Sequence, residues 1–354
     1  LTIGEIVKKA RQRVNQNAWD FLIGGAETET TVKRNRQAID SLAFRPRVLR
    51  NVKNIDTSTE VLGLSQRIPV LLAPMGANHN YDPEGAVAVA RAASAFGVTQ
   101  IVSSVCGTDA ADVRAASEIP QMLQLYTYGD QSWMAEKIEA IIALGFSALC
   151  LTVDTSYYGR RERDIMKGFL PAGRGAATGA GCQPELDWDV VDWIKENFDI
   201  PLVLKGIATA EDARIAIEHG IDLIYVSNHG GRQLDHGRAT IDILVEVIDE
   251  VNGKCEVVLD GGFVRGADVI KAVALGAKAV AVGRLYGYGL AAGGEAGVRR
   301  ILEILETEIV NVMGLLGVTT LDQLTPDYVY PEAPVGPASA TSAFPLINLP
   351  EFNY

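Results

Sequence analysis

The chain has 354 residues, 48% hydrophobic and 21% charged, a mixture that suits one large globular unit or two average ones. Its net charge of -12 argues against a nucleic-acid or anionic-membrane partner, because both are bound by concentrated Lys and Arg. Four dispersed cysteines, Cys106, Cys150, Cys182 and Cys255, have neither zinc-site nor disulfide-framework spacing, so no metal and a reducing cytoplasm are expected. Leu1-Thr2-Ile3-Gly4-Glu5 lacks the basic and apolar regions of a signal peptide, and no apolar run approaches the roughly 18 residues of a membrane span.

In chain order, residues 1 to 68 read as mainly helical to Ala43 and loop-like through Arg45-Pro46-Arg47, a capping segment for the main fold. Short apolar runs bounded by turn residues then recur: Pro69 to Ala73, Gln100 to Ser103, Met122 to Leu125, Ala148 to Val153, Pro201 to Lys205, Asp222 to Val226, Glu256 to Leu259 and Ala279 to Val282. Between them lie stretches of helical period, among them Glu84 to Phe96, Gln131 to Leu144, Ala210 to Glu218, Ile241 to Val251 and Ala267 to Leu275. Thr209 with Asp212 marks a helix start, and Gly220 and Gly276 sit where helix C-terminal glycines belong. Repeated strand-then-helix units with nearly continuous apolar strands predict an α/β fold, a (β/α)8 barrel over 69 to 318. Gly294 to Leu316 continues helically, and 319 to 354 ends as a Pro-, Ala- and Ser-rich extended surface tail.

The chemistry collects at the predicted carboxyl ends of the strands, where such barrels build their sites. After strand six comes Ser227-Asn228-His229-Gly230-Gly231-Arg232-Gln233, a short loop with one titratable base and one fixed cation. Asp154 ends strand four, either as a partner that orients His229 or as a helix cap. Lys205 ends strand five, either a snorkelling surface lysine or a cation that points into the barrel mouth. Asp260-Gly261-Gly262 after strand seven and Gly283-Arg284 after strand eight suit a cofactor phosphate. Gly287-x-Gly289-x-x-Ala292 mimics a dinucleotide fingerprint but follows no strand, and reads as close helix packing. The segment 170 to 186, Gly-rich over Leu170 to Gly181, is either a loop over the barrel mouth or a surface loop without a role.

The heptapeptide resembles the signature of the FMN-dependent 2-hydroxy-acid oxidase and dehydrogenase family, and the order of motifs is similar from about Trp19 to Leu316. The resemblance implies an FMN cofactor and the oxidation of a 2-hydroxy acid, with oxygen or a quinone as electron acceptor and a homotetrameric assembly. It implies that Pro74, Met75 and Gly76 line the flavin, that Ser103, Gln124 and Thr152 hydrogen-bond it, and that Lys205 and Ser227 contact its ring or ribityl chain. Asp260, Gly261, Gly262, Arg265, Gly283 and Arg284 would hold ribityl and phosphate. For catalysis it implies His229 as base, Asp154 as its partner, Tyr126 at the reacting oxygen, and Arg161 with Arg232 as carboxylate clamp.

Departures from the family pattern point to the substrate. Phe21 stands where many members carry a tyrosine, Val105 where glycolate oxidase has a tryptophan, and Val264 where the first of two arginines is usual. The loop after strand four is short, and Gly76 replaces an alanine frequent in oxidases. These changes widen the substrate side, so an acid bulkier than glycolate, mandelate-like or larger, is expected. Two rival readings are a non-redox barrel isomerase of a phosphorylated metabolite and a flavin-binding protein with impaired catalysis.

Overall fold

The computed structural model describes residues 1–169 and 183–346. Eight parallel strands form one sheet: Val70–Leu72, Ile101–Ser103, Met122–Leu125, Leu149–Thr152, Leu202–Ile207, Leu223–Val226, Glu256–Leu259 and Ala279–Val282. The last pairs with the first, and a parallel bridge from Leu72 to Gln100 closes the ring between the first and second. The result is a (β/α)8 barrel, whose closure leaves no exposed sheet edge.

Alternation along each strand separates two apolar layers. Leu71, Ile101, Met122, Cys150, Val203, Tyr225 and Val258 fill the barrel interior. Val70, Leu72, Leu149, Leu202, Ile224 and Val280 pack outward against helices such as Gly85–Phe96, Thr240–Val251 and Gly266–Ala274. A hairpin, Thr59–Val61 with Leu64–Gln66, sets Val61 against the inner layer and ties Leu62 N to Glu256 Oε2 at 2.8 Å.

Three helices precede the barrel, Ile3–Arg13, Gln16–Ile23 and Thr30–Asp40. The first opens with a reciprocal cap between Thr2 and Glu5, and the second with Asn15 accepting from Ala18 N. Thr209 accepts from Asp212 N at 3.1 Å, as its spacing suggests. The helix after strand eight runs from Arg284 to Leu316 with a break at Gly293 and Gly294. Across that break a Cβ on Gly289 would lie 2.7 Å from Gly297 O, so the glycine pattern there serves close backbone packing.

The terminal segment differs from the extended surface tail expected of it. Val329–Pro331 pairs antiparallel with Leu42–Phe44, and Phe344 is buried at 3% exposure against Tyr288. Its composition predicted no partner because both contacts are made to residues far away in the chain. Most of the 170 to 186 loop falls outside the described residues.

Candidate active site

A cavity of about 550 Å³ opens at the carboxyl ends of the barrel strands, within the size range of small-ligand sites. On one side stands the loop after strand six. His229 (φ 56), Gly230 (φ 60) and Gly231 (φ 74) are consecutively left-handed, a strained state for a histidine that its surroundings must impose. Ser227 Oγ accepts from His229 N at 2.9 Å, and a Cβ on Gly231 would meet Val32 N at 2.8 Å. This tight turn aims the imidazole into the cavity.

His229 Nδ1 lies 2.9 Å from Asp154 Oδ1, and Nε2 lies 3.3 Å from Tyr126 Oη, with the two rings stacked 6.4 Å apart. A carboxylate on Nδ1 favours the tautomer that carries its proton there and leaves the Nε2 lone pair free to act. Burial lowers the imidazole's proton affinity, Asp154 opposes that, and Lys205 adds to it; the net shift is downward. Burial works to raise Asp154, but His229 and Lys205 outweigh it and hold the carboxyl below its usual range. Burial pushes the Tyr126 hydroxyl upward, so it stays protonated and can donate.

Lys205 borders the cavity two residues beyond the inward-facing Val203, and a β-bulge follows it: pairing with strand six slips between Lys205 and Ile207. The bulged Gly206 has φ 122, and a Cβ on it would stand 2.7 Å from the Asp154 Cβ, which brings strands four and five together behind His229. Burial disfavours the Lys205 charge, yet Asp154 and Asp260 overcome this and raise its pKa. Its Nζ donates to Ser227 Oγ at 3.2 Å, and that hydroxyl donates to Asp260 Oδ1 at 2.7 Å.

Two guanidiniums flank the base. Arg161 sits 4.4 Å from the Tyr158 ring and 6.0 Å from Phe21. Arg232 sits 4.8 Å from Phe21 and donates through Nη1 to Phe21 O and Gly24 O at 2.7 and 2.9 Å. Phe21 therefore offers both cations a π face. Val105 lines the cavity nearby, and a Cβ on Gly76 would touch its Cγ2 at 3.2 Å.

Pro74, Met75, Asp260, Gly261, Gly262, Gly283 and Arg284 also border the cavity, and Arg284 Nη2 donates at 2.8 Å to the same Gly24 carbonyl that Arg232 uses. Ser103, Gln124 and Thr152 are buried in strands two, three and four and are not among the residues that border the cavity, Ser103 Oγ donating to Gln124 Oε1 at 2.8 Å. Arg265 stands apart because its charge is engaged elsewhere. Arg265 turns away to Glu308, whose carboxylate takes both its Nε (3.2 Å) and its Nη2, and it does not border the cavity. A phosphate role for Arg265 is corrected on that ground: its charge is already spent on a carboxylate. Reasoning from sequence also missed Asn35 and Arg36, which border the cavity from a helix outside the barrel, and Gln233, whose side chain bridges Asp154 O, Tyr157 O and Gly159 N. Gln233 closed the heptapeptide in plain view; Asn35 and Arg36 carried no local signal.

The sequence model described as FMN-dependent dehydrogenase matches residues 10–179 and 170–331. The chain belongs to this family. It is 38% identical over 351 residues to the peroxisomal (S)-2-hydroxyacid oxidase GLO3 of Arabidopsis thaliana, covering 94% of this chain and 97% of that one. It is 40% identical over 348 residues to the peroxisomal (S)-2-hydroxy-acid oxidase GLO4 of Oryza sativa subsp. japonica, with coverages of 93% and 94%. Among solved structures, a mandelate oxidase with (S)-2-phenylpropionate superposes with a TM-score of 0.88 at 36% identity, covering 95% of this chain and 99% of that chain. A soluble mutant of the membrane-associated (S)-mandelate dehydrogenase from Pseudomonas putida gives 0.89 at 32%, with coverages of 93% and 99%.

This family member is thus an FMN-dependent 2-hydroxy-acid oxidase or dehydrogenase. Its residues fit the cofactor. Gln124 Nε2 and Arg284 Nε are buried without a hydrogen-bond partner, as expected of groups awaiting the polar atoms of a flavin and its phosphate. Burial, with Arg232 nearby, lowers the Arg284 pKa to about 10, the mark of a cation lacking its anion.

Proposed function

We propose that this enzyme oxidises an (S)-2-hydroxy acid bulkier than glycolate, mandelate-like or larger, to the 2-oxo acid, with His229 as base and Arg161 and Arg232 as carboxylate clamp. The observation that carries the reading is the convergence of an Asp154-backed imidazole, the Tyr126 hydroxyl and two guanidiniums on one cavity. Bound FMN supplies the two-electron acceptor.

The rest falls to the chain's own groups. A planar guanidinium pair takes the substrate carboxylate and fixes the rotation of the α-carbon. Neutral Nε2 of His229 then accepts a proton from the reacting centre, and Asp154 stabilises the imidazolium that results. Tyr126 donates to the substrate's reacting oxygen, and Lys205 supplies positive charge at the flavin end of the cavity. Val105 borders the cavity with a side chain smaller than tryptophan, which favours a bulky substituent on the α-carbon. Relatives solved with aryl acids include a mandelate oxidase, in keeping with that choice.

His229→Gln is the direct test. Flavin should stay bound while anaerobic reduction by substrate slows by about 10²–10⁴; unchanged reduction removes His229 from the chemistry. Turnover of glycolate, lactate and mandelate reads the size preference, and preference for glycolate rejects it. Reoxidation of the reduced flavin by oxygen against a quinone identifies the acceptor, and sedimentation tests the homotetramer.

A further inference from the structure

We propose that the segment Ser339–Phe344 is part of the cofactor site: a strap that closes the cavity beside the start of helix Arg284–Leu316 and slows the release of FMN. The proposal rests on FMN filling this cavity and is independent of which acid is oxidised.

The segment is tied at both ends. Upstream, Val329–Pro331 pairs with Leu42–Phe44, and Glu332 N donates to Ser41 O at 2.7 Å. Downstream, Phe344 is buried and meets Tyr288 edge-on at 6.3 Å, while Tyr288 leans on Trp19 at 5.8 Å. Between the anchors the chain is mostly exposed from Pro331 to Pro337, then folds into a turn. Thr341 N donates to Ser339 Oγ at 3.3 Å, Ser342 Oγ to Ser339 O at 3.1 Å, and Phe344 N to Thr341 O at 2.9 Å.

That turn borders the cavity through Ser339 and Ala340. Its anchor, Tyr288, lies one helical turn beyond Arg284, on the same face of the same helix. The strap and the unpaired Arg284 Nε thus belong to the wall of one cavity. A wall there excludes water and keeps the local dielectric low, which strengthens a guanidinium–phosphate contact. A tail packed only for its own sake would need the Phe344 anchor but no lining of the cavity.

The test uses the full-length holoenzyme, with the rise of free-flavin fluorescence measured after dilution. Phe344→Ala should release FMN about tenfold faster, equivalent to about 1.4 kcal/mol, and Phe344→Leu should restore most of the retention. Release at the original rate, or acceleration only in step with a lowered melting temperature of the apoprotein, overturns the proposal. Ala340→Asp tests it without touching the anchor: a carboxylate on that wall should weaken FMN more than riboflavin, which lacks the phosphate. Equal weakening of both, or a change confined to the substrate concentration for half-maximal reduction, places the strap elsewhere and also overturns it. A flavin spectrum in every variant separates these outcomes from a failure of FMN to bind at all.

Discussion

Asp154 does two things to His229, and their signs can be told apart. Burial lowers the imidazole's pKa from 6.5, Asp154 raises it and Lys205 lowers it, with the balance downward. The base is therefore neutral at pH 7, and kcat/KM should fall only on acidification through a pKa below 6.5. Asp154→Asn removes the group that raises the imidazole, so the acid limb should move to still lower pH. The plateau should drop by on the order of 10² as the Nδ1 proton loses its partner. A pH–rate profile checks both, and an acid limb displaced upward contradicts the assignment.

The phosphate end of the cavity is set by single residues too. Val264 carries no charge, Arg265 is engaged by Glu308, and Arg36 is engaged by Asp268 and Asp40. Among the described residues that border this end, Arg284 is left without a carboxylate at hydrogen-bond distance. Val264→Arg should therefore tighten FMN by roughly tenfold or more, from the worth of one hydrogen bond to a charged group, and leave riboflavin binding nearly unchanged. Fluorescence titration with the two flavins reads the difference.

At the scale of elements, helix Thr30–Asp40 ties two active-site loops together. Asn35 exchanges hydrogen bonds with Asn228 at 3.0 and 2.8 Å and accepts from Thr240 N at 3.2 Å, which steadies the residue before His229. The adjacent Arg36 donates to Gly262 O at 3.0 Å and to both oxygens of Asp268 at 2.7 and 2.9 Å. Arg36 and Asp268 are almost wholly buried, so removing one partner strands the other charge. Arg36→Met should cost about 3–5 kcal/mol in chemical denaturation and weaken FMN binding as well, because the Gly262 loop loses its support. A stable variant with unaltered flavin affinity would show that the helix only caps the barrel.

The bulge at Gly206 is a second device of this kind. The apolar pattern ends strand five at Lys205; the strand runs to Ile207, with an irregularity at Gly206 that brings its backbone against Asp154. A run of apolar residues marks where a strand lies, but a slip of one residue depends on what the neighbouring strand offers.

For the whole molecule, the cavity and the barrel are one cooperative object, since loops from several strands and the N-terminal helices meet around it. Flavin that binds only the folded state stabilises it by mass action, about 2.7 kcal/mol when free FMN is 100 times its Kd. Removing FMN should therefore lower the melting temperature, and restoring it should recover the value in proportion to the logarithm of its concentration. A melting point indifferent to FMN would argue against a shared cooperative unit.

The order of strands and helices was set by local pattern alone: turn residues bound each apolar run, and helical period fills the gaps, so closure of eight such units into a barrel leaves little topological freedom. His229, Arg232, Asp154 and Lys205 were legible for a related reason, because each sits at the end of a strand that the pattern already located. What only the tertiary structure decided lies between residues with no periodic relation. Arg265 met Glu308, Asn35 met Asn228, and Phe344 met Tyr288 across 43, 193 and 56 positions respectively. A side chain's charge is visible in the sequence, but whether another charge has already claimed it depends on which distant segments folding brings alongside.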